Sequence, residues 1–255
     1  MSQRKYQWIL NRFSAGPLDL AKRLLHKKVI GPIKYRAPSG YDAERYWRDR
    51  FQKYGSSLRG PGDEGLSEEE NRKQYQKAAR ALIEAERGAH LDLSAARVLE
   101  IGCGAGFYAQ LHSDLGMKTY TGVDVTDVLF GRLRERFPKY RFVRMDATRD
   151  TMEGEFDLVL MVDVAHHIVA DEAMDRAMDN VKRVLAPGGI FFVGPVMARK
   201  KRHLFYVRFW SAQEIRSRVG DFDHFVTVPF RAGALLGFRS NEASKERYNP
   251  PADTA

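Results

Sequence analysis

A doubly wound α/β fold built on a mostly parallel sheet is predicted by three observations. From Ala96 onward, short β-rich runs alternate with amphipathic helical stretches. The first of these runs, RVLEIG, opens directly into a turn carrying Gly102, Gly104 and Gly106. Most later runs are again followed by a helical segment, which is the sequence form of βαβ units whose sheet is covered on both faces.

The elements follow in order. Residues 17–30, PLDLAKRLLHKKVI, place Leu18, Ala21, Leu25 and Val29 near one helical face, with Lys22, Arg23, His26 and Lys27 mostly elsewhere. Such a basic amphipathic helix can lie on an anionic membrane surface or dock its apolar stripe on its own domain. Gly31-Pro32 and Pro38-Ser39-Gly40 are expected to break the chain. Residues 41–54 read as a helix with Tyr46, Trp47, Arg50 and Phe51 as its large groups, and the glycine-rich run 55–65 as a loop. Ser67 with Glu70 forms a capping box that opens a helix through about residue 88. In the β/α region, RVLEIG precedes a helix over 107–115, KTYTGVDV precedes DVLFGRLRERF, and YRFVRMDA leads into a turn. FDLVLMVD then precedes EAMDRAMDNVKRVL, and GIFFVG follows Pro187-Gly-Gly189. The basic run Arg199–His203 is expected to be a loop, solvated or holding an acidic substrate group, and the last dozen residues a frayed tail.

Composition narrows the class. The chain has 255 residues, 44% of them hydrophobic and 11% aromatic, enough for a packed core and too many for wholesale disorder. No apolar run approaches the roughly 20 residues of a membrane span, and MSQRKYQWILNRF lacks the apolar stretch of a secretory signal. The single cysteine, Cys103, leaves no internal disulfide and no multi-cysteine zinc site, and no metal is expected. A reduced, cytoplasmic protein is the expectation. The net charge of +9 is concentrated: residues 1–36 hold nine Lys/Arg against one acid, Asp19. A basic N-terminal arm, a candidate for peripheral contact with the inner membrane face, fits this better than a globally basic nucleic-acid surface.

The glycine turn lies where an open α/β sheet binds its ligand, at the carboxyl end of the first strand. Glycine there permits positive φ and lets a ligand press against bare backbone. A phosphate-binding loop of the Walker type would need Lys-Ser/Thr after the glycines, and Phe107-Tyr108 stands there instead. A dinucleotide fingerprint would need a third glycine where Phe107 sits. The spacing present is Glu100-x-Gly102-x-Gly104-x-Gly106, followed by Asp124 in TGVDV, Asp146 in RMDAT, the run FDLVLMVDVAHHI and the turn VLAPGGIFFVG.

These motifs, in this order, resemble the class I, Rossmann-like S-adenosylmethionine-dependent methyltransferases, over roughly residues 96–195. The resemblance implies a seven-stranded, mostly parallel sheet and S-adenosyl-L-methionine as cofactor. It implies that Asp124 accepts the ribose hydroxyls and that Val125 walls the purine slot. Asp146 would recognise the exocyclic amine beside the Ala147 backbone. Glu100 and the turn Gly102–Gly104–Gly106 would face the methionine moiety, with Asp163 near enough to help. An aspartate at a strand end can equally be a helix cap. The cofactor carries no phosphate, which agrees with a turn that lacks an anion-binding lysine. Cys103 reads as a small packed residue within that turn.

Methyl transfer to a hydroxyl also needs a proton acceptor. His166 and His167, after the fourth strand, are the candidates, with His167 preferred; either could instead serve only in packing. The Asn/Asp-Pro-Pro-aromatic motif of enzymes acting on base amines is absent, since Asp163-Val-Ala-His-His stands at that place. The block from Tyr46-Trp47 through Gly60, Gly62, Leu66, Asn71 and Tyr75 resembles, less strongly, the lid segments of bacterial methyltransferases of glycan and secondary-metabolite pathways. The expected layout is a basic arm over 1–40, a helical lid over 41–92, the cofactor-binding domain over 93–240 and a tail over 241–255. The expected activity is O-methylation of a small molecule, saccharide or lipid-linked glycan. The alternatives are an RNA methyltransferase, which the near-neutral core disfavours, and a non-catalytic cofactor-binding regulator.

Overall fold

A computed structural model describes residues 25–38, 40–198 and 201–241. A π-helical turn, His26–Ile30, runs without a break into α1 (Gly31–Lys34). A two-residue-per-strand hairpin, β1 (Arg36–Ala37) and β2 (Gly40–Tyr41), leads to α2 (Ala43–Tyr54) and α3 (Glu68–Ala89). The β/α region then follows: β3 (Arg97–Ile101), α4 (Phe107–Asp114), β4 (Thr119–Asp124), α5 (Phe130–Arg136), β5 (Arg141–Arg144) and β6 (Phe156–Val162). A short 3-10 turn, Ala165–His167, precedes α6 (Asp171–Val184) and β7 (Leu185–Val196). The chain ends in β8 (Lys201–Leu204), β9 (Val207–Phe209), α7 (Ala212–Val219), β10 (Asp223–Phe230) and β11 (Gly233–Arg239).

Seven strands form one sheet in the order β10-β11-β7-β6-β3-β4-β5. All its neighbours pair in parallel except β11, which is antiparallel to both β10 and β7. The chain starts at β3, winds outward through β4 and β5, and returns to β6 on the other side. The carboxyl ends of β3 and β6 therefore flank the topological switch point, where such sheets bind ligands.

The apolar run of β6 shows why the sheet is buried on both faces. Leu158 and Leu160 enter a core shared with α3, α4 and α5, while Val159 and Met161 enter a second core shared with α6 and α7. Alternation along a strand sends neighbours to opposite faces, so a strand covered twice must be apolar throughout. α6 spreads Met174, Ala177, Met178 and Val181 along its sheet-facing side, all fully buried.

The capping box predicted at Ser67 and Glu70 is present, with both reciprocal hydrogen bonds made. A second box, Ser211 with Glu214, opens α7. Two expectations are corrected. Gly31-Pro32 does not break the chain, because Pro32 sits in the first turn of α1, where its missing N–H costs little. Gly31 is there for packing: a Cβ would lie 2.5 Å from the Phe205 ring. The basic run is not a plain loop either, since Lys201–Leu204 pairs with Val207–Phe209 as an antiparallel hairpin. The amphipathic stretch expected over 17–30 lies mostly outside the described residues, as does the tail beyond residue 241.

Candidate active site

The turn after β3 is held from beneath by β4. The N–H groups of Gly102 and Cys103 both donate to the Val123 carbonyl, at 2.7 and 3.0 Å. Gly102 has φ +78°, and a Cβ there would stand 2.3 Å from Val164 Cγ2. Gly104 has φ +48° and donates its N–H to Asp124 Oδ2 at 2.9 Å. The Gly102→Ala variant is therefore expected to lose 1–3 kcal/mol or so from backbone strain alone, plus the clash with Val164. Thermal unfolding with and without cofactor checks this; an unchanged midpoint and affinity would contradict it.

A cavity opens over this turn at the switch point. Of the predicted cofactor residues, Glu100, Gly102, Gly104, Asp124, Val125, Asp146, Ala147 and Asp163 line it. Gly106 is not among the lining residues. It caps α4 in the left-handed conformation, φ +74°, with the space for a Cβ taken by Leu133 2.5 Å away. Its glycine serves the packing of α4 on α5.

Asp124 is buried, and its two oxygens take the N–H groups of Gly104 and, at 3.2 Å, Thr126. Burial pushes its carboxyl up to about 6 against the lowering pull of those N–H groups. Each oxygen keeps a second lone pair, so two hydroxyl donors can still be accepted. Glu100, also buried, accepts from the Tyr120 hydroxyl, and burial raises its carboxyl to about 8. Asp146 accepts from Thr148 N–H and Oγ1 at 2.9 and 2.6 Å, a self-contained turn at the end of β5. Cys103 is buried beneath the turn, and desolvation raises its thiol further.

Asp163 departs from a simple ligand role. It adopts φ +61°, accepts the Tyr108 hydroxyl at 3.0 Å, and receives Arg231 through both Nε, at 3.1 Å, and Nη2. Arg231, itself at φ +54°, packs over the Tyr75 ring at 4.5 Å. One carboxylate thus ties together β6, α4, α3 and the β10–β11 turn. Nothing in the sequence pairs residues 163 and 231.

The two histidines separate clearly. His167 lines the cavity, and His166 is not among the lining residues. His166 packs against Phe209, and its buried Nδ1 has no hydrogen-bond partner; burial lowers its pKa to about 4. His167 places Nδ1 3.0 Å from the Tyr206 carbonyl. A carbonyl only accepts, so Nδ1 carries the hydrogen and Nε2 keeps its lone pair. Burial and the neighbouring His166 hold the His167 pKa well below 6.5. Trp210 steadies this turn, donating Nε1–H to the carbonyls of Ala165 and Ile168 at 3.1 and 2.9 Å. The Tyr41 hydroxyl adds a bond to the His167 carbonyl at 3.1 Å.

The N-terminal block closes the cavity. Tyr41, Ala43, Trp47, Phe51, Pro61 and Tyr75 line it, and Trp47 meets His167 edge-on at 4.7 Å. Half-buried Arg50 organises the loop that carries Pro61, donating to the carbonyls of Arg59, Gly60 and Gly62 and to the Tyr46 hydroxyl. Asn71 locks the same loop, accepting Asp63 N–H and donating to the Asp63 carbonyl, both at 2.9 Å. Gly62 is required because a Cβ would lie 2.3 Å from Asn71 Oδ1.

Buried carboxylates for hydroxyl and cationic groups, bare backbone at the turn and an apolar enclosure fit a positively charged, phosphate-free nucleoside. The fold is that of the class I S-adenosylmethionine-dependent methyltransferases, and residues 99–193 match the family model described as a methyltransferase domain. This stretch of the chain is thus similar to a methyltransferase domain, set in the fold that such enzymes share.

Among curated proteins, a phthiotriol/phenolphthiotriol dimycocerosates methyltransferase of Mycobacterium ulcerans is 38% identical over 104 residues, 39% of this chain and 37% of that protein. The chain thus spans about two fifths of the length of the mycobacterial relatives it matches. A ubiquinone biosynthesis O-methyltransferase of Pseudomonas aeruginosa is 27% identical over 173 residues, 62% of this chain and 71% of the relative. Among solved structures, magnesium protoporphyrin IX methyltransferase of Synechocystis superposes with a TM-score of 0.59 at 17% identity, covering 80% of this chain and all of that one. The N-methyltransferase NodS of Bradyrhizobium japonicum gives 0.54 at 20% identity, over 76% of this chain and 99% of its own. At these identities the structures establish the shared fold.

Proposed function

We propose that this chain is an S-adenosylmethionine-dependent methyltransferase that methylates a hydroxyl of a small molecule, saccharide or lipid-linked glycan. The observation that carries the choice of a hydroxyl is His167, a cavity-lining imidazole whose Nδ1 hydrogen is engaged by Tyr206 and whose Nε2 keeps its lone pair. The cofactor, when bound, supplies a methyl group already activated for in-line displacement. The residues of this chain have three tasks: to grip, to align and to exclude water.

In this reading Asp124 accepts the ribose hydroxyls, and Asp146 with Ala147 and Val125 frames the purine. Glu100, Gly102 and Gly104 lie along the remaining stretch toward Asp163. His167 Nε2 takes the proton from the acceptor oxygen as that oxygen gains the methyl. Trp47, Phe51, Pro61 and Tyr75 shield the reacting groups from solvent, which preserves the activated cofactor from hydrolysis. The name of one curated relative, a ubiquinone biosynthesis O-methyltransferase, agrees with a hydroxyl acceptor.

The test is to incubate the protein and host extracts with methyl-labelled cofactor, then to fractionate lipid, glycan, RNA and protein pools. Label is expected in the lipid or glycan pool and absent when His167→Gln replaces the native protein. Label confined to RNA, or no label in any pool with cofactor binding intact, would overturn the proposal.

A further inference from the structure

Five large hydrophobic side chains are conspicuously exposed among the described residues, and four of them lie on one short helix. They are Leu25, Val29, Ile30 and Ile33, the last with 73% of its surface open. The spacing is that of one helical stripe along the π-turn and α1, so the groups form a patch rather than scattered exceptions. The opposite side of the same helix is fixed to the domain. Gly31 is buried against Phe205, Lys34 pairs with Asp49 at 2.6 Å, Lys27 lies 3.7 Å from Glu64, and the Tyr35 hydroxyl donates to Asp49 at 2.9 Å. The helix is therefore seated with its apolar side outward, which rules out the expectation that this part of the stripe docks on its own domain.

An outward apolar stripe needs a partner, and charge selects it. The arm holds nine Lys/Arg against one acid over residues 1–36, with Lys28 on the stripe's own helix and Arg36 two residues past its end both exposed. Two copies meeting face to face would bring these cations together. An anionic lipid surface satisfies both features at once, since it accepts apolar side chains at the headgroup boundary and attracts the surrounding cations.

The position of the stripe relates it to the candidate active site. Tyr35 stacks on Phe205 at 6.1 Å, Phe205 meets Tyr41 at 6.0 Å, and Tyr41 lines the cavity. One aromatic layer thus separates the exposed stripe from the site of the chemistry.

We propose that Leu25, Val29, Ile30 and Ile33 form a docking face for an anionic phospholipid bilayer, which presents a membrane-borne acceptor to the cavity. The acceptor half of this statement rests on the methyltransferase reading; the docking half does not.

The test uses the full chain with vesicles of phosphatidylglycerol and phosphatidylcholine, and with phosphatidylcholine vesicles alone. The native protein is expected to sediment with the anionic vesicles at least ~10-fold more than with the neutral ones, and less so at high salt. The combined variant Val29→Ser, Ile30→Ser, Ile33→Ser is expected to lose on the order of 30-fold in partitioning. Its cofactor affinity should be unchanged, which verifies folding because these side chains are exposed. Lys28→Glu with Arg36→Glu should weaken binding to anionic vesicles without touching the stripe. Equal sedimentation with both vesicle types, or a native dimer that the triple variant converts to monomer with no lipid binding in either form, would overturn the docking face. Failure of cofactor binding in solution would instead overturn the methyltransferase reading, so the two failures are distinguishable.

Discussion

Asp124→Ala is expected to weaken binding of S-adenosylmethionine and of its demethylated product by ~10- to 150-fold, the loss of about 1.5–3 kcal/mol from hydrogen bonds to a charged group. The carboxylate does two things that alanine cannot. It fixes the glycine turn by taking the N–H groups of Gly104 and Thr126, and it retains lone pairs for two further donors. Asp124→Asn separates these roles. An amide can accept at only one end, so one of the two N–H groups meets an NH2 and the turn distorts. The asparagine variant should thus bind better than alanine and worse than the native protein. Burial raises this carboxyl to about 6, so the ionised acceptor predominates above that pH and is lost below it. Affinity should accordingly decline as the pH falls through about 6. Titration calorimetry across pH 5–8 measures it, and an affinity indifferent to both substitutions would remove Asp124 from the site.

His167→Gln should lower turnover by ~10²- to 10⁴-fold, the usual contribution of a positioned general base, while leaving cofactor affinity within about twofold. His166→Gln should cost far less, because that ring packs on Phe209 away from the cavity lining. The pH profile adds a readout that a packing role would not move. The His167 pKa is lowered well below 6.5 by burial. A lowered histidine pKa keeps the neutral base present to lower pH, so the acid limb of the rate should lie below 6.5 rather than at it. An acid limb near neutrality, or full turnover in the glutamine variant, would exclude His167 as the base.

How much of this was legible beforehand differs from residue to residue. The turn Gly102–Gly104 and the carboxylates at 100, 124 and 146 are readable because each is placed by its own strand end and the sequence around it. Gly106 belongs to the same motif, yet its purpose, room for Leu133, depends on where α5 packs. The basic run before Leu204 reads as solvated because its side chains have little strand preference. Its pairing with Val207–Phe209 is a tertiary outcome that propensity does not encode. Gly31-Pro32 misleads for a related reason: the same dipeptide that ends one helix fits the first turn of another.

From residues alone come the alternation of strand and helix, the double burial of β6 and the glycine turn after β3, because these depend on local periodicity and on backbone conformations open chiefly to glycine. Only the folded chain pairs Arg231 with Asp163, sets the Tyr206 carbonyl against His167 and threads Arg50 into the Pro61 loop. Those partners lie 68, 39 and about ten residues apart. A hydrogen bond is set by distance in space, and no periodicity along the chain carries that information.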